Sequence, residues 1–140
     1  MTTTFWKAHG TGNDFVIVDR PEPLTPGQVR WLCHRRFGIG GDGTLQALRA
    51  GDVAGWDGDP ELWFMDYRNA DGTVAEMCGN GLRVFARHLA RTGRIAGDEA
   101  DVATRAGVRH VTLYDNGDVS VTMGTVRVEG DDLTIEHQDM

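Results

Sequence analysis

Four tight clusters of glycine, Gly10-Thr11-Gly12, Gly38 to Gly43, Gly51 to Gly58 and Gly79 to Gly81, cut this sequence into short segments and remove most ways of folding it. Nineteen glycines in 140 residues is high. Because they cluster rather than spread, they mark tight turns between elements and not a flexible linker. No repeat of fixed period and no low-complexity stretch is present, which excludes solenoids and repeat arrays. A chain of this length buries about two thirds of its unfolded surface. Residues 1–140 are therefore expected to form a single domain.

The segments between the turns carry two periods. Phe5 to His9 and Phe15 to Asp19 read as strands of a hairpin whose polar turn is Gly10 to Asp14. Thr25 followed by Pro26 makes an N-cap and first helical position, with Val29, Leu32, Cys33 and Arg36 on one side of a helix that Phe37-Gly38 should end. Thr44 to Leu48 reads as a strand, Asp52 to Pro60 as a loop, and Glu61 to Tyr67 as a central strand, apolar on both faces. A turn at Asn69-Ala70-Asp71-Gly72 and a short strand Thr73 to Glu76 follow. Gly79 to Arg91 is the strongest helix pattern, with Leu82, Phe85, Ala86 and Leu89 spaced for one buried face. Arg83, Arg87 and Arg91 lie opposite and read as a solvated face. The remainder is all strand: Asp101 to Thr104, Val108 to Tyr114, Val119 to Met123, and a hairpin of Val126-Arg127-Val128 with Leu133-Thr134-Ile135. The expected class is α+β, a mainly antiparallel or mixed sheet with one or two packed helices.

Charge and composition exclude several functions. With 14 Lys+Arg against 21 Asp+Glu the net charge is −7, which repels nucleic acid and anionic lipid. No apolar run approaches the ~20 residues of a membrane span. Two cysteines and no secretion-signal pattern lead to the expectation of a reducing, cytoplasmic setting. Gly38-Ile39-Gly40-Gly41-Asp42-Gly43 is a literal G-x-G-x-x-G, but a helix precedes it and a strand follows, the reverse of a dinucleotide fingerprint. Asp57-Gly58-Asp59 starts like a calcium loop, yet Leu62 stands where that loop needs glycine. The five histidines show no metal-ligand spacing, so no metal site is expected. Trp56, in a Gly/Asp loop, is either folded back onto its own domain or presented to a partner.

Cys78 stands apart. It sits in Met77-Cys78-Gly79-Asn80-Gly81, a small-residue turn opening directly into the second helix. A thiol there faces unpaired N–H groups and the positive end of the helix dipole, which favours its thiolate form. The same N–H groups can hold a carboxylate. A basic sulfur beside an anion cradle points to chemistry on a small carboxylic acid such as an amino acid. Cys33, mid-helix on the apolar side with no glycine turn around it, is expected to be structural.

Several of these turns together resemble the first domain of the diaminopimelate epimerase family, amino-acid epimerases that use neither pyridoxal phosphate nor metal. The matching residues are His9 to Phe15, Gly38 to Gly43, Asn69 to Gly72, Cys78 to Gly81 with Arg83 and Phe85-Ala86-Arg87, and Val121 to Gly124. The resemblance implies a two-base inversion in which Cys78 is the first of two cysteines. It further implies that Asn13, Asn69 and Asn80 hold the substrate, and that the Gly79 and Asn80 amides receive its α-carboxylate. In that family the second half supplies the other cysteine, an acidic residue, an arginine and a second helix N-terminus. Residues 1–140 contain none of these. The expectation is therefore the N-terminal half of a split enzyme, completed as a heterodimer by a complementary polypeptide and requiring no cofactor. The alternatives are one domain of an ordinary single-chain enzyme, or a non-catalytic amino-acid-binding remnant. Gly43 occupies a position where some members carry glutamine, and diaminopimelate is the family's usual substrate.

Overall fold

A computed structural model describes residues 3–10, 12–76, 78–122, 124–129 and 132–137. The strands β1 (Thr4–Gly10), β2 (Asn13–Asp19), β3 (Gly43–Arg49), β4 (Trp63–Asn69), β5 (Glu99–Thr104), β6 (Gly107–Leu113) and β7 (Val119–Val121) form one sheet in sequence order. Pairings are antiparallel except for β2 with β3 and β4 with β5, which are parallel. Each parallel step needs a crossover, and the two helices supply them: α1 (Pro26–Cys33) between β2 and β3, α2 (Gly79–Arg91) between β4 and β5. The sheet is thus mixed, with two packed helices. A separate antiparallel pair, β8 (Gly124–Glu129) and β9 (Asp132–His137), follows. No helix among the described residues is long and apolar enough to cross a membrane.

The sheet is curled around α2. This helix touches both edge strands, β1 and β7, and also β2, β3, β4 and β6, which a flat sheet would not allow. On the concave face Phe15, Ile17, Leu45, Met65, Val102 and Val111 enclose Leu82, Phe85, Ala86 and Leu89. Each fully buried large apolar side chain contributes about 2 kcal/mol. The i, i+3, i+4, i+7 stripe therefore faces the strands as its spacing predicts. Past Arg91 the helix closes with Gly93 N–H donating to Ala90 O at 3.1 Å and Arg94 N–H to Leu89 O at 2.8 Å.

The convex face carries two smaller clusters. One packs α1 on β2 through Val16, Val18, Leu24, Val29 and Cys33. In the other, Trp56 lies edge-on to Phe64, 5.8 Å between ring centres, and its Nε1 donates to Asp59 O at 3.1 Å. Trp56 is thus folded back onto its own domain. Two polar side chains are buried on this face with their bonds made. Gln46 accepts from Leu24 N–H at 3.2 Å and donates to Arg20 O and Glu22 O at 2.8 and 2.7 Å. Asp66, 1% exposed, accepts from Arg68 at 3.1 Å and Arg105 at 2.6 Å.

Three local expectations are corrected. Helix α1 starts as predicted, with a reciprocal Thr25–Gln28 capping box and Pro26 in its first turn, but it ends at Cys33, before Phe37. His34 Nδ1 accepts the N–H groups of Arg36 and Phe37 at 3.1 and 3.0 Å, and Ile39, Gly40 and Gly41 take the last free carbonyls of Leu32 and Cys33. Residues Thr73 to Glu76 form no strand. Asp71 captures Thr73 N–H and Oγ1 at 2.9 and 2.6 Å, leaving one isolated bridge between Arg68 and Val74. The fourth strand begins and ends two residues later than the apolar run Glu61 to Tyr67, because its pairing with β3 extends to Asn69. The expected strand Val119 to Met123 is described only in part, since Met123 lies outside the described residues.

His88 on α2 is 2% exposed, packs edge-on to Trp6 at 4.6 Å, and its Nδ1 has no hydrogen-bond partner among the described residues. Burial, with Arg94 and Arg91 nearby, pushes its pKa down to about 4 from 6.5. The unfolded chain takes a proton on this group between those values and the folded chain does not. Stability is therefore full above about 6.5 and falls as pH drops toward about 4. His110, bonded to Asp101 at 2.9 Å and Glu99 at 3.1 Å, has a raised pKa and acts in the opposite sense. The urea midpoint is expected to fall from about pH 7 to about pH 5, and to fall less in His88→Leu, where the His110 contribution is unchanged. An equal fall in both proteins would contradict this reading.

Candidate active site

The N-terminus of α2 opens at one end of the sheet, where β2 begins, β3 begins and β4 ends. Phe15 pairs with Gly43, and Gly43 with Asn69. Cys78 is the N-cap residue of α2, extended at φ −137° and ψ 129°, and its carbonyl accepts the first helical bond from Leu82 N–H at 2.8 Å. Its side chain caps none of the first helical N–H groups. Cys78 is half-buried and packs at the border of the α2 core. Gly81 presses toward Phe15 and Leu45 beneath it. Tyr67, on the inner face of β4, has its phenol pKa raised by burial, with Cys78 and Asp42 adding to the effect.

Asn80, in the first turn of α2, donates through Nδ2 to Asn13 Oδ1 at 3.0 Å. Close approach of β1 permits this: a Cβ on Gly10 would lie 3.0 Å from Val84 Cγ2 and 3.2 Å from Asn80 O. Asn13 Nδ2 in turn donates to Asp42 Oδ2 at 3.2 Å. Asn69 ends β4 at the same end of the sheet, its Nδ2 donating to Thr73 Oγ1 at 3.1 Å. The fold thus joins Asn13 and Asn80 directly and sets Asn69 two strands from Asn13, across Gly43. A Cβ at residue 43 would stand 2.4 Å from Arg68 O and 2.9 Å from Tyr67 Cε1. A glutamine at this position has no room on this backbone.

Behind Asn13 lies a compact ionic network. Arg35 forks onto Asp14 at 2.8 and 2.9 Å and reaches Asp42 at 3.0 Å. Lys7 pairs with Asp14 at 2.9 Å and also donates to Gly40 O. Arg35, then Lys7, hold the Asp14 carboxyl well below the usual carboxylate range. A hollow of about 360 Å³ opens beside His9, Asn13, Arg35 and Asp42. Asp14 and Asp42 lie inside motifs noticed in the sequence, but nothing in the sequence marks Arg35 or Lys7: Arg35 reaches the network just past the end of α1, and Lys7 reaches it from β1.

Cys33 is 4% exposed in the α1 cluster, and burial pushes its pKa up to about 11. The glycine run 38–43 follows α1 and leads into β3, the order that disqualifies a dinucleotide site. Arg83, Arg87 and Arg91 are exposed as read from the sequence, and they border a groove of about 830 Å³ between β1 and the β6–β7 turn. Among the described residues no group of three or more His, Cys, Asp or Glu side chains is placed to hold a metal ion.

Known proteins can be set beside this geometry. The sequence model of the family described as diaminopimelate epimerase matches residues 5–129. A diaminopimelate epimerase from Corynebacterium glutamicum ATCC 13032 is 50% identical over 137 residues, 93% of this chain and 50% of that protein. One from Streptomyces coelicolor is 50% identical over 137 residues, 94% of this chain and 47% of the relative. The chain spans about half the length of the curated relatives it matches. Among solved structures, a hydroxyproline epimerase from Agrobacterium vitis, with trans-4-hydroxy-L-proline bound, superposes with a TM-score of 0.58 at 14% identity, over 95% of this chain and 47% of that one. A phenazine biosynthesis protein of the PhzF family from Enterococcus faecalis superposes with a TM-score of 0.61 at 11% identity, over 82% and 42%. At such identities these two show a common fold and nothing more. A match running from β1 through β8, with half of the aligned residues identical in two relatives, leaves one assignment: this chain belongs to the diaminopimelate epimerase family.

Proposed function

We propose that residues 1–140 form one domain that supplies half of a cofactor-independent amino-acid epimerase site, with diaminopimelate as substrate and Cys78 as one of two proton-transfer groups. The observation that carries the reading is the position of Cys78, first at the mouth of α2, beside N–H groups its side chain does not cap and two residues before Asn80, which pairs with Asn13.

The chemistry follows from that position. The Cys78 thiolate takes the α-proton and becomes a thiol, and the electron pair of the broken C–H bond passes to the α-carbon and its carboxylate. That charge is met by the Gly79 and Asn80 amides, a preorganised electrostatic stabiliser needing neither metal nor pyridoxal phosphate. Asn13, Asn69 and Asn80 orient the amino acid. A second thiol on the far side of the carbon returns a proton there, and the centre inverts. Cys33 cannot be that thiol, being buried on the convex face. The second cysteine comes from a complementary polypeptide, in a heterodimer working in the cytoplasm. The chain spans 50% and 47% of the length of the two relatives.

With the complementary half co-expressed, deuterium is expected to enter the α-carbon of diaminopimelate, Cys78→Ala to slow this by about 10²–10⁴-fold, and Cys33→Ser to leave it within about twofold. Full exchange by Cys78→Ala would refute the role of Cys78, and absence of exchange in the wild-type complex would refute the pairing. On the chain alone, a thiol-alkylating reagent is expected to modify Cys78 in the folded protein and Cys33 only after unfolding, read by peptide mass. Equal modification of both in the folded protein would contradict the burial assigned to Cys33.

A further inference from the structure

We infer that Asp42 is a positioning residue whose carboxylate sets the direction of the side-chain amides of Asn13 and Asn80. The direction is forced by what each group can do. An ionised carboxylate only accepts hydrogen bonds, so Asn13 must turn its NH₂ toward Asp42 Oδ2, 3.2 Å away. Its carbonyl then faces Asn80, which must answer with its own NH₂, at 3.0 Å. The oxygen and nitrogen of a primary amide are nearly identical in shape, so packing alone does not choose between the two orientations. The charge on Asp42 does.

Asp42 is itself held from three sides. Arg35 Nη2 donates to its Oδ1 at 3.0 Å and Asp14 N–H to its Oδ2 at 3.1 Å. Its own N–H donates to Asp14 O at 2.8 Å and Asp14 Oδ1 at 3.1 Å. Lys7 and Arg35 balance the two carboxylates, so the network is neutral and rigid without drawing on the ligand. Asn13 keeps one amide hydrogen with no acceptor among the described residues, a donor suited to an anionic group. Were both amides reversed, a carbonyl lone pair would stand there and repel a carboxylate.

The identity of the ligand rests on the epimerase reading, but the amide direction does not, and two measurements separate them. Side-chain amide NMR of the labelled 140-residue chain is expected to show one signal pair each for Asn13 and Asn80. Asp42→Asn, which can donate or accept, is expected to split or broaden both pairs, while Arg35→Met, which leaves the carboxylate in place, keeps them single. Unchanged signals in Asp42→Asn, in a protein with native backbone dispersion, would overturn the inference. Should that variant not fold, Asn80→Asp sets a second acceptor against the Asn13 carbonyl and must shift or double the Asn13 pair; an unmoved pair overturns it equally. In the completed enzyme Asp42→Asn is expected to raise the KM for diaminopimelate about tenfold with kcat within about twofold. Loss of exchange in Cys78→Ala together with an unaltered KM in Asp42→Asn would leave the epimerase reading standing and defeat this one.

Discussion

The structure depends on one packing arrangement, the burial of the apolar stripe of α2 inside a sheet that curls to meet it. Leu82, Phe85 and Ala86 are fully buried and Leu89 nearly so, and their partners come from five strands, β2 through β6. Contact with both edge strands fixes the helix along its length and in rotation. Because α2 cannot slide, its first turn is held at the end of the sheet where Asn13, Gly43 and Asn69 emerge. The hydrophobic effect thus does the positioning of the polar groups at the mouth.

The polar groups are arranged in two tiers. Close to the helix mouth lie Cys78, the first amides of α2 and the Asn80–Asn13 pair. Behind them Asp42, Asp14, Arg35 and Lys7 form a network whose charges cancel, at the point where α1 gives way to the glycine run. Each partner satisfies the other's hydrogen bonds, so the network adds rigidity without a net field that would oppose an anionic ligand. The early end of α1 matters here. Had the helix run to Phe37, Arg35 would sit within a helical turn rather than at the exit that delivers it to Asp14 and Asp42.

Most of this fold was legible where a strong period met clear punctuation. The α2 stripe was read to the residue, and the Thr25–Pro26 start of α1 was visible because capping chemistry is local. The alternation of strands around two helices gave a mixed sheet, although which pairs are parallel follows only from the crossovers. What failed was decided by side chains acting on backbone: His34 stopping α1, and Asp71 drawing Thr73 out of strand geometry. At the site, Cys78 stood out because glycine surrounds it, whereas Asn13, Asn69 and Asn80 entered only through the family resemblance. Arg35 and Lys7 carry no such mark, since their roles arise from long-range contacts that no spacing encodes.

The central claim is that the mouth of α2 is an anion cradle with a thiol at its rim. Backbone amide NMR of the chain during titration with diaminopimelate tests it most directly. The largest shifts are expected on Gly79, Asn80 and Asn13. Shifts confined to Arg83, Arg87 and Arg91 along the neighbouring groove, with the first turn of α2 unmoved, would contradict it.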